Sequence, residues 1–466
     1  MDNSDQNEDS AGPSAADPVG TGRDSRRRKD TAWAEFFRQT ATLAQIREQG
    51  YSYITADQLN ALKLLDARLM TKLDTLDDRP GVFKEHDLAI FPVRNGRYIL
   101  FRDPQHKSYF RLGSAHLELS PRLYQSGVDL AAFDSFPGVQ RLNESQALDF
   151  ALVASLLTKF TGDDDLHLVI RGRMYSGQFA FDLPEAAHRV HVSSVQIEVD
   201  GGYESRDAIY LLEAKTGRRA DFHIRQLYYP YLEWRARSAK RIVPIFFFVT
   251  NGKFYFFEFR FEQAFGALSI VRAESYVIDE SPRTRLHLAE LMGRSSIEGE
   301  PPVPFPQAND LDKVVDLLAL LRSRADDGNQ AEAGSAVPVS KTAIAEHFEF
   351  DERQGDYYAN AAVYLGLIGR SGDGFVLSER GGRLVGTRSL ARRTEMLIEQ
   401  MLRRPVLRDA FTLLQVHGLD VEQIQLDEVA AIISRHTNLS GTTPARRAST
   451  VLRWLRWVKD NAELVE

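Results

Sequence analysis

Residues 242–249 (IVPIFFFV) and 254–261 (FYFFEFRF) are two apolar runs of strand length separated by Thr250-Asn251-Gly252-Lys253. An Asn-Gly pair between β-prone runs is the strongest short-range hairpin signal, because both turn positions need a positive φ. Strands this apolar cannot leave both faces in water, so the hairpin belongs to a sheet covered on at least one side. Pro244 lacks an amide proton and makes the start of the first strand irregular or an edge. Helices to cover the sheet are at hand. One is expected over 144–160, where Ala147, Leu148, Phe150, Leu152, Val153, Leu156 and Leu157 form an apolar stripe, and one over 222–237, interrupted near Pro230. With strand-like runs at 166–172 and 174–183, residues 141–294 read as an α/β core with a mixed sheet.

Residues 195–215 (VQIEVDGGYESRDAIYLLEAK) carry the candidate chemistry. Alternation places Val195, Ile197 and Val199 on one face and Gln196, Glu198 and Asp200 on the other. In the second strand Leu211, Glu213 and Lys215 share a side. Gly201-Gly202 is the expected reversal between them. If the strands pair, three carboxylates and an amine converge. Carboxylates held together near neutral pH need a cation, a shared proton or water between them. Oxygen ligands of this kind suit Mg²⁺, and a neighbouring lysine orients or activates water and offsets charge on a phosphoryl oxygen. A lone ExK is more often a solvated salt bridge than a site. Here Leu211, Leu212 and Ala214 surround the pair with apolar neighbours, where charge requires a reason.

This stretch resembles the PD-(D/E)xK nuclease motif, and 197–234 resembles the catalytic region of type II restriction endonucleases with C-terminal winged-helix modules. The resemblance is best over 140–270 and weaker over 308–459. It implies a restriction-endonuclease-like core in which Asp200 is the first acid and Glu213 and Lys215 are the ExK pair. Val199 stands where the family usually has proline. The resemblance also implies that Asp200 and Glu213 bind Mg²⁺, and that Glu198 adds a ligand or positions water. Gln226, on the helix after ExK, orients a catalytic group, contacts the backbone of DNA or serves as an ordinary cap.

A chain of 466 residues suggests three or four domains, and 43% hydrophobic with 26% charged content is that of a globular protein. Without cysteine, disulfides and thiolate metal sites are excluded. No apolar run approaches the roughly 18 residues of a membrane helix, and the polar start is not a secretory signal, so no membrane partner and a cytoplasmic location are expected. A net charge of −7 decides nothing about nucleic acid, for which local clustering matters. Residues 1–30 read as a disordered tail, with Arg26-Arg27-Arg28-Lys29 a solvated basic run or a phosphate contact. Residues 31–140 read as an accessory region, helical to about 76 through Trp33, Phe36, Phe37, Leu59, Leu62, Leu65 and Leu69, then β-rich with an Asn95-Gly96 turn. Its arginines and aromatics suit DNA contact or, more simply, a core.

Residues 295–339 contain a Pro-rich linker and a helix. Residues 340–394 resemble a winged helix-turn-helix domain, with Ser340 capping a helix, a second helix and a wing-like hairpin. Residues 395–466 read as a second unit of that kind. There Arg446, Arg447, Arg453, Arg456 and Lys459 follow one another without a carboxylate between them, a candidate DNA-contacting face; Trp454 and Trp457 read as packing groups. Arg171 and Arg173 reach backbone phosphates near the cleft or form rim salt bridges. The expectation is a type II restriction endonuclease that hydrolyses specific sites in double-stranded DNA with Mg²⁺, leaving 5′-phosphate and 3′-hydroxyl ends. It would act as a homodimer, alongside a methyltransferase for the same site. The alternatives are a repair or modification-dependent nuclease and a noncatalytic winged-helix DNA-binding protein.

Overall fold

The computed structural model describes residues 22–113, 119–136, 138–183, 185–278, 285–328, 338–348, 352–387 and 389–465. At its centre is a seven-stranded sheet. The strands are β1 (Arg122–Tyr124), β2 (His167–Tyr175), β3 (Gln196–Glu204), β4 (Ala208–Thr216), β5 (Arg241–Thr250), β6 (Lys253–Phe261) and β7 (Leu268–Ile278), in the order β1-β7-β6-β5-β4-β3-β2. β2, β3 and β4 are antiparallel neighbours, β4 and β5 are parallel, β5, β6 and β7 are antiparallel, and β1 lies parallel to β7. The sheet is therefore mixed, within an α/β architecture of several sheets. A parallel pair needs a crossover, and α3 (Arg225–Arg237) supplies it between β4 and β5.

α1 (Glu144–Val153) and α2 (Leu156–Thr161) cover one face; Ser155, at φ 60°, breaks what reads as a single helix. Leu148, Phe150 and Phe160 there pack on Leu212, Ala214, Phe247, Phe254 and Phe256. On the other face Leu227, Tyr228 and Tyr229 of α3 meet Phe246, Phe248, Phe257 and Phe259. Successive phenylalanines of the hairpin thus feed opposite cores, which is why both strands are apolar throughout. The turn is as read, with Asn251 at φ 46° and Gly252 at φ 74°. Pro244 pairs with Leu211 of β4, while pairing of β5 with β6 begins only at Ile245.

Gly201-Gly202 is not the reversal. Both glycines lie inside β3, and the chain turns at 205–207. A Cβ on Gly202 would stand 2.5 Å from that of Ile170, so the glycine is required by close strand packing. The run 174–183 is not one strand either: β2 continues to Tyr175, and Gln178–Asp182 pairs separately with Arg189–Ser193.

The helix Gly22–Gln39 begins inside the expected tail and contains the basic run; residues 1–21 lie outside the described ones. Trp33, Phe36, Phe37 and Leu59 are buried as expected, whereas Leu69 is half exposed and Tyr51–Thr55 is a strand. That strand joins Arg97–Arg102 and Leu88–Arg94 in an antiparallel sheet whose two faces enter different cores. Tyr109–Arg111 pairs with Asp221–His223, and β1 sits in the central sheet, so 31–140 is built into the core rather than beside it.

Beyond the core lie α4 (Leu311–Gly328), α5 (Lys341–Phe348), α6 (Glu352–Tyr364) and a three-stranded sheet of Val339–Ser340, Gly374–Leu377 and Ile368–Ser371. Helices Leu390–Leu402, Pro405–Val416, Leu426–His436 and α7 (Thr443–Asn461) follow. Among the described residues 395–460 form no hairpin, and one apolar core runs from Leu286 to Ala462. Leu397, Ile398, Met401 and Trp454 share it with Ile344 and Tyr364, so the two expected C-terminal units are a single one. The Pro-rich stretch is strapped to this unit: Glu298 accepts from Arg380 and Arg403, and the Ala308 carbonyl from Trp454 Nε1 at 2.7 Å. Residues 329–337, within the segment 295–339 read as a linker and a helix, lie outside the described ones. No helix among the described residues is long and apolar enough to cross a membrane.

Candidate active site

Pairing of β3 with β4 ends at Gly201 opposite Leu212, and there the strands part. Across β2, Gly202 faces Ile170 and Val199 faces Gly172, so Asp200 and Gly201 together oppose Arg171 alone. Such a bulge bends its strand and re-aims a side chain. The Asp200 carboxylate turns into the gap, where Oδ2 accepts the Ala214 amide at 2.8 Å. Without it that amide would be an unpaired buried donor. Arg171 secures the bulge: Nε donates to the Asp200 carbonyl at 3.2 Å, while Nη1 and Nη2 grip Asp149 of α1 at 3.3 and 2.6 Å.

Ala214 separates Glu213 from Lys215, so Asp200 is brought to the ExK pair. Lys215 Nζ donates to Glu213 Oε1 at 2.6 Å, and both residues are buried, each only 7% exposed. Burial pushes the Glu213 carboxyl up to about 8, against the pull of Lys215 and with the added push of Asp200. Burial likewise raises Asp200, opposed by Lys215 and by the Ala214 amide. Two ionised acids and one ammonium leave a negative charge in a poorly solvated place, which calls for a cation or a retained proton. Two carboxylates are what Mg²⁺ ordinarily takes from protein, its other positions going to water and substrate oxygens, so this donor set fits the ion. Among the described residues no group of three or more His, Cys, Asp or Glu could hold a metal.

Glu198 and Arg173 pair with each other at 3.2 Å on the exposed side of β2 and β3. Glu198 does not join the buried pair, though its charge reaches Asp200. Gln226 lies in the first turn of α3, and its Oε1 is buried with no hydrogen-bond partner among the described residues. It is not a cap. The sequence pointed to neither Asp149 nor Glu144, the first residue of α1, whose charge also acts on Glu213. The signal for Glu144 was the capping box of Asn143 and Gln146, which sets the helix start and hence its first-turn acid.

The basic run of α7 is partly neutralised. Arg456 holds Glu422 at 2.8 and 3.1 Å, and Lys459 lies 3.5 Å from Asp420, both acids arriving from an earlier segment that folds against the helix. Arg446 and Arg453 are exposed two turns apart, and Arg447 is half-buried near Tyr357. Trp454 and Trp457 are packing groups as expected.

The chain just past Lys215 is gripped by the C-terminal unit. Arg218 contacts Asp310 at 3.1 Å and Asp312 at 3.5 Å. Asp312 also accepts from Lys253 at 2.9 and 3.0 Å, Asn251 at 2.9 Å and Trp457 Nε1 at 2.7 Å. Asp316 accepts the Asn251 amide at 2.7 Å. The hairpin turn is thus an anchor between sheet and C-terminal unit, beside Arg218.

Three segments match domains of unknown function: residues 30–100 (DUF6996), 125–277 (DUF6997) and 331–463 (DUF7226). No curated protein and no solved structure matches the chain.

Proposed function

We propose that the chain is a PD-(D/E)xK deoxyribonuclease of the type II restriction kind, cutting specific double-stranded sites. The observation that carries this is the Asp200 carboxylate seated on the Ala214 amide, between Glu213 and Lys215. The bulge at Asp200, the mixed sheet and the helices on both its faces support a nuclease core. The run of α4, α5, α6 and a hairpin supports a winged-helix reading of the first part of the C-terminal unit.

Asp200 and Glu213 would hold Mg²⁺, which supplies positive charge at the scissile phosphate and makes water more acidic. Lys215 then donates to the attacking water or to a phosphate oxygen as charge develops. Water oxygen bonds to phosphorus and the bond from phosphorus to O3′ breaks; the proton of the attacking water passes to bulk water, and O3′ takes one from bulk water. The products are 5′-phosphate and 3′-hydroxyl ends. Arg171 acts on Asp200 as a positioning residue, while Arg446 and Arg453 contact duplex phosphates or base edges. Cutting both strands of a palindrome is simplest for a homodimer, with a methyltransferase protecting the same site.

A second reading, a noncatalytic DNA-binding protein, is favoured by the closed pair of Glu213 and Lys215. Incubating a random-sequence duplex pool with Mg²⁺ and mapping the ends separates the two. The nuclease reading expects defined ends that vanish with Asp200→Ala and Lys215→Ala while binding persists; binding without cutting in any divalent ion rejects it. Repeating the digest on methylated DNA tests the modification-dependent alternative.

A further inference from the structure

A cavity of about 340 Å³ lies where the end of β4, the start of α1, the turn between β5 and β6, α4 and α5 meet. That is within the roughly 300–1,000 Å³ of small-molecule sites. Its position is specific: Thr216 and Gly217 in its wall directly follow Lys215, and Glu144 in its wall is the acid of α1 that acts on Glu213. Its lining is mixed. Leu142, Val249 and Phe348 give an apolar side, and Asn143, Ser323 and His347 bring hydrogen-bonding groups to the same space. Phe348 is fixed there, because its carbonyl accepts from Arg219 Nη1 at 3.0 Å and its ring meets the His347 ring edge-on at 4.9 Å. An aromatic ring and polar groups around a volume of this size are what a flat, polar-edged heterocycle requires.

We propose, on the basis of the nuclease reading, that this cavity receives one nucleotide turned out of the duplex beside the scissile bond. Taking a base from the stack into a pocket lets the protein read its edge by hydrogen bonds, and a modified base differs at that edge. The site therefore deepens the choice between a restriction enzyme and a modification-dependent one.

The test uses the full chain and a duplex carrying a mapped cleavage site, with 2-aminopurine at successive positions and Ca²⁺ in place of Mg²⁺. Fluorescence is expected to rise severalfold at one or two positions next to the cut bond. Ser323→Trp, an exposed position of α4 whose indole fills the cavity, is expected to abolish that rise and slow cleavage at least tenfold with duplex binding unchanged. Arg324→Trp, one residue on and outside the lining, leaves both as they were. Normal cleavage with no brightened position, or brightening that Ser323→Trp does not alter, overturns the pocket and leaves the nuclease standing. Absence of cleavage on every duplex overturns the nuclease reading and this proposal with it.

Discussion

The Asp200 carboxylate is fixed by the Ala214 amide, so the first acid is aligned by the backbone of the strand that carries the other two groups. Asp200→Asn keeps an oxygen acceptor and removes the charge. Its thermal unfolding should stay close to that of the parent, while Mg²⁺-dependent cleavage falls at least about a thousandfold. Asp200→Ala also strands the amide, at about 1–3 kcal/mol. Melting curves of the two variants side by side measure that difference.

Glu213 titrates in the folded protein at about 8, far above its unfolded value of about 4.3. The folded state therefore holds the extra proton between those limits, and stability falls as pH rises through them, then levels off. Asp316, raised to about 7, and Asp221, raised to about 6, add slopes of the same sign at lower pH. His223, held well below its usual range by burial, and Lys313, lowered to about 8 by burial, add slopes of the opposite sign at low and at high pH. Urea unfolding of the metal-free protein from pH 5 to 9 therefore reads the Glu213 contribution as the difference between the parent and Glu213→Gln. Lys215→Met removes the opposing charge and extends the fall above pH 8, whereas Glu213→Gln makes it shallower.

Asp312 is buried and accepts from Lys253, Asn251 and Trp457. Asp312→Ala leaves the Lys253 ammonium buried without its carboxylate, a loss of about 3–5 kcal/mol. Limited proteolysis should then cut between the sheet and the C-terminal unit at concentrations that spare the parent.

Arg446→Ala and Arg453→Ala should each weaken duplex binding and lower the slope of log affinity against log salt by about one. Arg456→Ala should change the slope much less, because Glu422 already engages that guanidinium. Binding isotherms at several salt concentrations distinguish the three.

Local signals carried much of the fold. The Asn251-Gly252 turn and the apolar hairpin strands are encoded in short windows, and the strands of 195–215 pair although their reversal lies at 205–207; the helix expected over 222–237 with an interruption near Pro230 instead runs unbroken from Arg225 to Arg237 with the proline inside it. What short windows missed came from distant partners. Gly201-Gly202 looked like a turn because only the neighbouring Ile170 shows that a Cβ will not fit. The α7 arginines looked unopposed because Asp420 and Glu422 lie more than thirty residues upstream of Arg456 and Lys459. At the site itself the alternation that grouped Glu213 with Lys215 was legible. The bulge that turns Asp200 toward Ala214 was not, because it depends on the register with Arg171 in β2.

The most direct test of the two-carboxylate centre is calorimetric titration of Mg²⁺ into the full chain at pH 8, run in parallel on Asp200→Asn and Glu213→Gln. One saturable ion site per chain, lost in both folded variants together with DNA cleavage, is the predicted result. Unchanged Mg²⁺ binding and cutting in either variant would contradict it.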